Sequence, residues 1–147
     1  MVVELQVAVV DSADVPDPAE VESWVLSTFS AISRPPSGIT VRVVDEDEIA
    51  ALNQQFRNKN TPTNVLAFPF ESVEEVEYAY LGDIVICLAV VKAESKQQVK
   101  SVRSHFAHMV IHGTLHLCGY DHQHDDEAEE MESVEQGILT AIESTQV

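Results

Sequence analysis

His112 and His116 stand four residues apart, Gly119 follows them, and His122 closes the set. At about 100° per residue, the first two share one face of a helix one turn apart, near enough for both imidazoles to reach one ion. Gly119 can take a left-handed conformation, end that helix and turn the chain back. The turn can then deliver His122 as a third ligand. The spacing therefore predicts a helix with a fixed stop and a loop folded over its histidine face. Three imidazoles leave a fourth position open for water, the arrangement of a catalytic rather than a closed structural zinc site.

His105 and His108 fall on the same helical face and offer the rival ligand set His108, His112 and His116. Helical rise argues against it, because eight residues span roughly 12 Å, too far for two bonds of about 2 Å to one ion. His108 is read as a support for a ligand, a substrate contact or a satisfied core histidine, and His105 as a satisfied core residue. The histidine and glycine spacing is also that of the extended zinc-hydrolase motif HExxHxxGxxH, but Gly113 stands where that motif carries its catalytic glutamate. Peptidase chemistry is disfavoured on that account. The missing side chain is expected to leave room beside the metal for a bulky, anionic substrate.

The 147 residues and 45% hydrophobic content fit one domain over residues 1–147 with a real core. The first ten residues are apolar but interrupted by Glu4 and Gln6, without a basic leader, and too short to span a membrane, so a cytoplasmic protein is expected. Cys87 and Cys118 have no CxxC spacing and are read as free, packed thiols. Net charge is -17, and no lysine or arginine occurs after Arg103. That balance argues against generic nucleic-acid binding through a basic face, though it leaves room for a local basic cleft. The acidic run from Asp125 to Glu143 is read as a solvated helix face rather than a second metal site.

Periodicity predicts the order βαβαββααα. Val2 to Val10 alternates as a strand. Asp17-Pro18-Ala19-Glu20 opens a helix with a cap, a proline at the first helical position and a glutamate at the third, before the apolar Val21, Trp24, Val25, Leu26 and Phe29. Ile39 to Val44 is a strand, and Asp45 to Glu48 opens a helix that buries Ile49, Leu52 and Phe56. Val65 to Phe70 and Leu81 to Cys87 are strands around an acidic loop, Glu71 to Glu77. Leu88 to Cys118 is helical for longer than most single helices, so a break is expected near Gln98 to Ser101. A last helix runs from Asp126 to Glu143 with Met131, Val134, Ile138 and Ile142 on one stripe. The fold class expected is α+β, a small, mostly four-stranded mixed sheet covered by helices, with the metal-binding helix packed on it in a zincin-like way.

Among the few cations, Arg57 and Lys59 sit just before the Thr61-Pro62-Thr63 turn. An arginine fork suits a phosphate; a pair of surface cations at a helix C-terminus is an equally good reading of position alone. The segment Ala107-His108-Met109-Val110-Ile111-His112-Gly113-Thr114-Leu115-His116-Leu117-Cys118-Gly119-Tyr120-Asp121-His122 resembles the signature of the YbeY family, bacterial ribosomal RNA maturation endoribonucleases. So does Asn53 through Pro69, which contains Arg57, together with Leu81-Gly82-Asp83-Ile84. Asn64 and Ala67 depart from the family's usual aspartate and serine.

The resemblance implies that His112, His116 and His122 bind zinc and that Arg57 is the functional arginine near the metal. It implies metal-dependent, single-strand-specific cleavage of RNA in small-subunit rRNA 3′-end maturation and ribosome quality control. Partners would be rRNA, the small ribosomal subunit and its associated factors, with no membrane. A zinc ion held by neutral imidazoles lowers the pKa of bound water from about 16 toward 7, which makes hydrolysis the default reaction class. Nickel or another divalent ion also suits three imidazoles. Arg57 is assigned to phosphate, and His108 or Asp121 to proton transfer, with Asp121 alternatively orienting a ligand histidine. The rival functions are a metalloprotease-like hydrolase and a non-enzymatic ribosome assembly factor whose metal is structural.

Overall fold

Alternating branched aliphatic residues build a four-stranded sheet in the computed structural model, which describes residues 2–70, 80–121 and 124–144. The strands are β1 (Val3–Val7), β2 (Ile39–Val44), β3 (Val65–Pro69) and β4 (Gly82–Cys87), in the spatial order β1-β2-β4-β3. The β1–β2 and β2–β4 pairs are parallel, and β3 lies antiparallel on β4 at the far edge. Parallel neighbours require a crossover. Helix α1 (Pro18–Ala31) supplies it between β1 and β2, and α2 (Glu46–Arg57) followed by β3 supplies it between β2 and β4. Three further helices follow: α3 (Leu88–Gln97), α4 (Val102–Leu117) and α5 (Asp125–Ser144).

Period-2 alternation sorts the strand side chains into two layers. Val41, Val43, Ile84 and Ile86 join residues of α1 and α4 in the larger core, while Val44, Leu66, Val85 and Cys87 meet Ile49 of α2 on the opposite face. Ile84 lies at the middle of the sheet, in register with Val41 on one side and Ala67 on the other. Trp24 of α1 and Phe106 of α4, both fully buried, pack with tilted rings, centroids 6.5 Å apart, and tie the two helices together. Helix α5 packs against α4 and α1. The architecture is thus α+β, with helices covering a mixed sheet and the histidine helix lying on it.

The expected break in the long helical run falls at 98–101. Val99 takes a left-handed φ of 54°, Lys100 N–H donates to the Ser95 carbonyl, and Ser101 caps α4 by accepting from Ser104 N–H at 3.0 Å. Other local expectations need correction. Asp17 occupies the cap position of α1 without a side-chain hydrogen bond, and Glu20 pairs with Arg103 instead. Phe56, expected to be buried, is 58% exposed and meets the ring of Phe68 edge-on. The acidic segment 71–77 and His122 lie outside the described residues. Among the described residues, no helix is long and apolar enough to cross a membrane.

Candidate active site

Between Ala107 and Leu117 every residue of α4 is buried except His108, His112 and His116, which are half-exposed. A helix that buries nearly its whole circumference has its polar positions selected by what lies beyond them. His112 and His116 turn their imidazoles edge to face, centroids 4.5 Å apart, with the two Nε2 atoms at 3.0 Å. Two nitrogens bonded to one tetrahedral ion at about 2.0–2.1 Å would stand about 3.3 Å apart, so this pair fits a shared metal. The helix then stops as expected. Gly119, at φ 98°, donates to the His116 carbonyl and Tyr120 N–H to the Leu115 carbonyl, each at 3.0 Å, a Schellman closure that fixes the exit direction of the chain. Among the described residues no group of three potential ligands converges, and the third expected ligand, His122, lies outside them.

A second stretch arrives from the other side of the sheet edge. Asn58, in the left-handed region at φ 59°, closes α2 directly after Arg57, and Asn53 Nδ2 donates to the Thr61 carbonyl at 2.9 Å, which holds the intervening loop. The Asn64 carbonyl accepts from Cys87 N–H at 2.9 Å, and its side-chain amide donates to Glu94 at 3.1 Å. The result is a cleft of about 520 Å³ lined by Arg57, Asn64, His112, His116, Tyr120 and Asp121 among others. Ala67 lines it as well, and Lys59 does not. Arg57 and Asp121, chosen from sequence as functional groups, therefore share one cavity with the two described histidines.

His108 is turned elsewhere. Its Nε2–H donates to Glu135 Oε1 at 3.1 Å, and Glu135 Oε2 accepts from His112 Nδ1–H at 2.8 Å. His105, one turn back, is 2% exposed and meets Glu94 of α3 through Nε2 at 2.9 Å, in keeping with a core histidine, while its Nδ1 is buried with no hydrogen-bond partner among the described residues. Glu135 corrects the reading of α5 as a uniformly solvated acidic face, since it is only 4% exposed. It sits on the inward stripe with Met131 and Ile138, and a carboxylate among those apolar positions was the signal in the sequence. Burial would raise its pKa, but the hydrogen bonds from His108 and His112 prevail and hold the carboxyl well below the ordinary range, at about 2.

A folded-state pKa below the unfolded one means that this carboxylate stabilises the fold above about pH 4.5 and stops doing so as pH falls toward 2. In the metal-free chain the contribution lost across that window is about 3 kcal/mol at most. Urea midpoints measured at stepwise pH will show the decline in wild type and a flatter profile in Glu135→Gln. Equal slopes would contradict the buried pairing.

Gly113 has a packing role besides the one its sequence position suggested. A Cβ added there would lie 2.8 Å from Ile84 Cγ2 and 3.1 Å from Ile84 Cδ1. The missing side chain permits close helix–strand contact, and Gly113 also lines the cleft beside His112 and His116. The same contact makes any side chain at this position, a glutamate included, overpack against Ile84.

Solved structures include one with the same fold. The solution structure of TM1509 from Thermotoga maritima superposes with a TM-score of 0.59 at 25% identity, covering 97% of this chain and 94% of that one. The family model described as endoribonuclease YbeY matches residues 6–143, a span that takes in all five helices except the last residue of α5, and all the cleft residues. With Arg57 and the paired histidines gathered inside that span, the chain belongs to the endoribonuclease YbeY family, whose activity is RNA cleavage in rRNA processing.

Proposed function

We propose that the chain is a metal-dependent, single-strand-specific endoribonuclease that matures the 3′ end of small-subunit rRNA and serves ribosome quality control in the cytoplasm. Residues 1–147 act as one such domain, with the small subunit and its associated factors as partners. The observation that carries the reading is the meeting of a 3.0 Å His112–His116 nitrogen pair with Arg57 in one cleft. His112, His116 and His122 would hold the ion, zinc in the first instance and nickel as an alternative. A bound zinc supplies Lewis acidity toward a phosphodiester oxygen and makes a nucleophile accessible near neutral pH.

The remaining work falls to the chain's own groups. Arg57 offers a planar fork of N–H donors that matches two phosphate oxygens and stabilises the charge that grows on them during displacement. A net charge of -17 repels polyanions from the rest of the surface, so a local cation in the cleft also selects where RNA enters. Asp121, at the cleft wall, takes or returns the proton of the attacking or leaving oxygen. His108 is the weaker candidate for that step, because its Nε2–H is committed to Glu135 and its Nδ1 is buried.

The test uses zinc-loaded protein with one RNA sequence offered single-stranded and duplexed. Cleavage confined to the single strand, lost on chelation and restored by zinc, is expected. Arg57→Ala should lower kcat by ~10²–10³-fold with metal content unchanged. Cleavage unaffected by that substitution would remove Arg57 from the mechanism, and metal-dependent peptide cleavage without action on RNA would overturn the reading. Product ends separate two routes, since a 2′,3′-cyclic phosphate means attack by the substrate's own 2′-hydroxyl.

A further inference from the structure

The two oxygens of Glu135 serve two different histidines, and only one of those histidines faces the cleft. Oε2 meets His112 Nδ1 at 2.8 Å and Oε1 meets His108 Nε2 at 3.1 Å. An ionised carboxylate has lone pairs and no proton to give, so each of those ring nitrogens is the donor. His112 is thereby fixed with its proton on Nδ1. Its other nitrogen, Nε2, is left unprotonated and aimed at the point shared with His116 Nε2, 3.0 Å away. A histidine binds a metal through an unprotonated nitrogen, and the hydrogen bond on its far side sets both the tautomer and the ring plane.

His108 completes the device. Its Nδ1 is buried with no hydrogen-bond partner among the described residues. A proton there would add an unmet buried donor, so the single ring proton belongs on Nε2, where Glu135 accepts it. With one oxygen held by His108, the carboxylate does not swing away from His112. Both histidines come from α4 and the carboxylate from α5, so the contact joins the two helices that precede and follow His122 in the sequence.

We infer that Glu135 is the positioning residue for metal ligand His112 and that His108 anchors Glu135, a role that rests on the zinc reading of the site. Glu135→Gln keeps the shape but replaces one accepting oxygen by an NH2 group, so one of the two histidines loses its acceptor. Zinc affinity, measured by competition with a chromophoric chelator, should fall 10–100-fold. The visible absorption of the cobalt-substituted protein should change in the same variant, a response that loss of packing alone would not give. Nitrogen-15 spectra of the metal-free wild type at pH 8 should show His112 protonated on Nδ1 and His108 on Nε2, and this reading stands even where Glu135→Gln fails to fold.

The outcomes are separable. A wild-type chain that takes up no zinc overturns the metal reading and this inference with it. Zinc uptake by wild type with equal affinity in Glu135→Gln, or His112 found protonated on Nε2, overturns the positioning role alone.

Discussion

His116→Ala will abolish zinc retention and RNA cleavage while leaving the fold in place. Removing one of the two facing imidazoles takes away half of the 3.0 Å nitrogen pair. Retention should drop from about one ion per chain to a trace, since two neutral ligands rarely hold a catalytic zinc through purification. Cleavage should fall by at least ~10³-fold, the kinetic equivalent of several kcal/mol of charge stabilisation at phosphorus. The fold survives because His116 is half-exposed, while Leu115 and Leu117 on either side keep their burial. Metal analysis, circular dichroism and the RNA assay on one preparation test all three parts. Stoichiometric zinc in His116→Ala would remove this residue from the ligand set. Metal lost with cleavage retained would point instead to an ion that only holds the last turn in place.

The second large effect is on stability. Gly113→Ala should destabilise the chain by about 1–3 kcal/mol from overpacking against Ile84, offset by up to ~1 kcal/mol of improved helix propensity. A net loss of that order lowers Tm by roughly 2–8 °C in a domain of this size. The clash is with a fully buried isoleucine at the centre of the sheet, so neither partner can turn toward solvent. In an Ile84→Ala background the same substitution should cost less, because the space is already open, and that non-additivity identifies the contact. Thermal and urea unfolding of the four proteins in the cycle measure it. A Gly113→Ala chain as stable as wild type would mean that α4 and β4 are less tightly apposed than described.

Most of the fold was legible because its signals are local. Alternation marked the strands, the Asp45 cap marked a helix start, and Gly119 marked a stop. The antiparallel turn of β3 onto the far side of β4 was not legible, since register depends on pairing partners distant in the chain. Phe56 was placed inside for a related reason, as an apolar residue on a helix says nothing about whether another element covers it. The histidine stripe shows the limit most clearly. His105, His108, His112 and His116 share one face by spacing, yet Glu94 of α3 engages the first, Glu135 of α5 the second and third, and the cleft the last two. Glu135 itself was hidden by the many solvated carboxylates around it. Gly113 was legible as a missing base, while its contact with Ile84 belongs to a strand almost thirty positions earlier.

That contact also bears on what this scaffold can become. The protease motif lies one residue away, but a glutamate at 113 would press its Cβ on Ile84 unless position 84 shrinks first. Ile84→Ala alone opens a core cavity at a cost of about 2–5 kcal/mol. Each step alone lowers stability, so the two arrangements are separated by a less stable intermediate sequence.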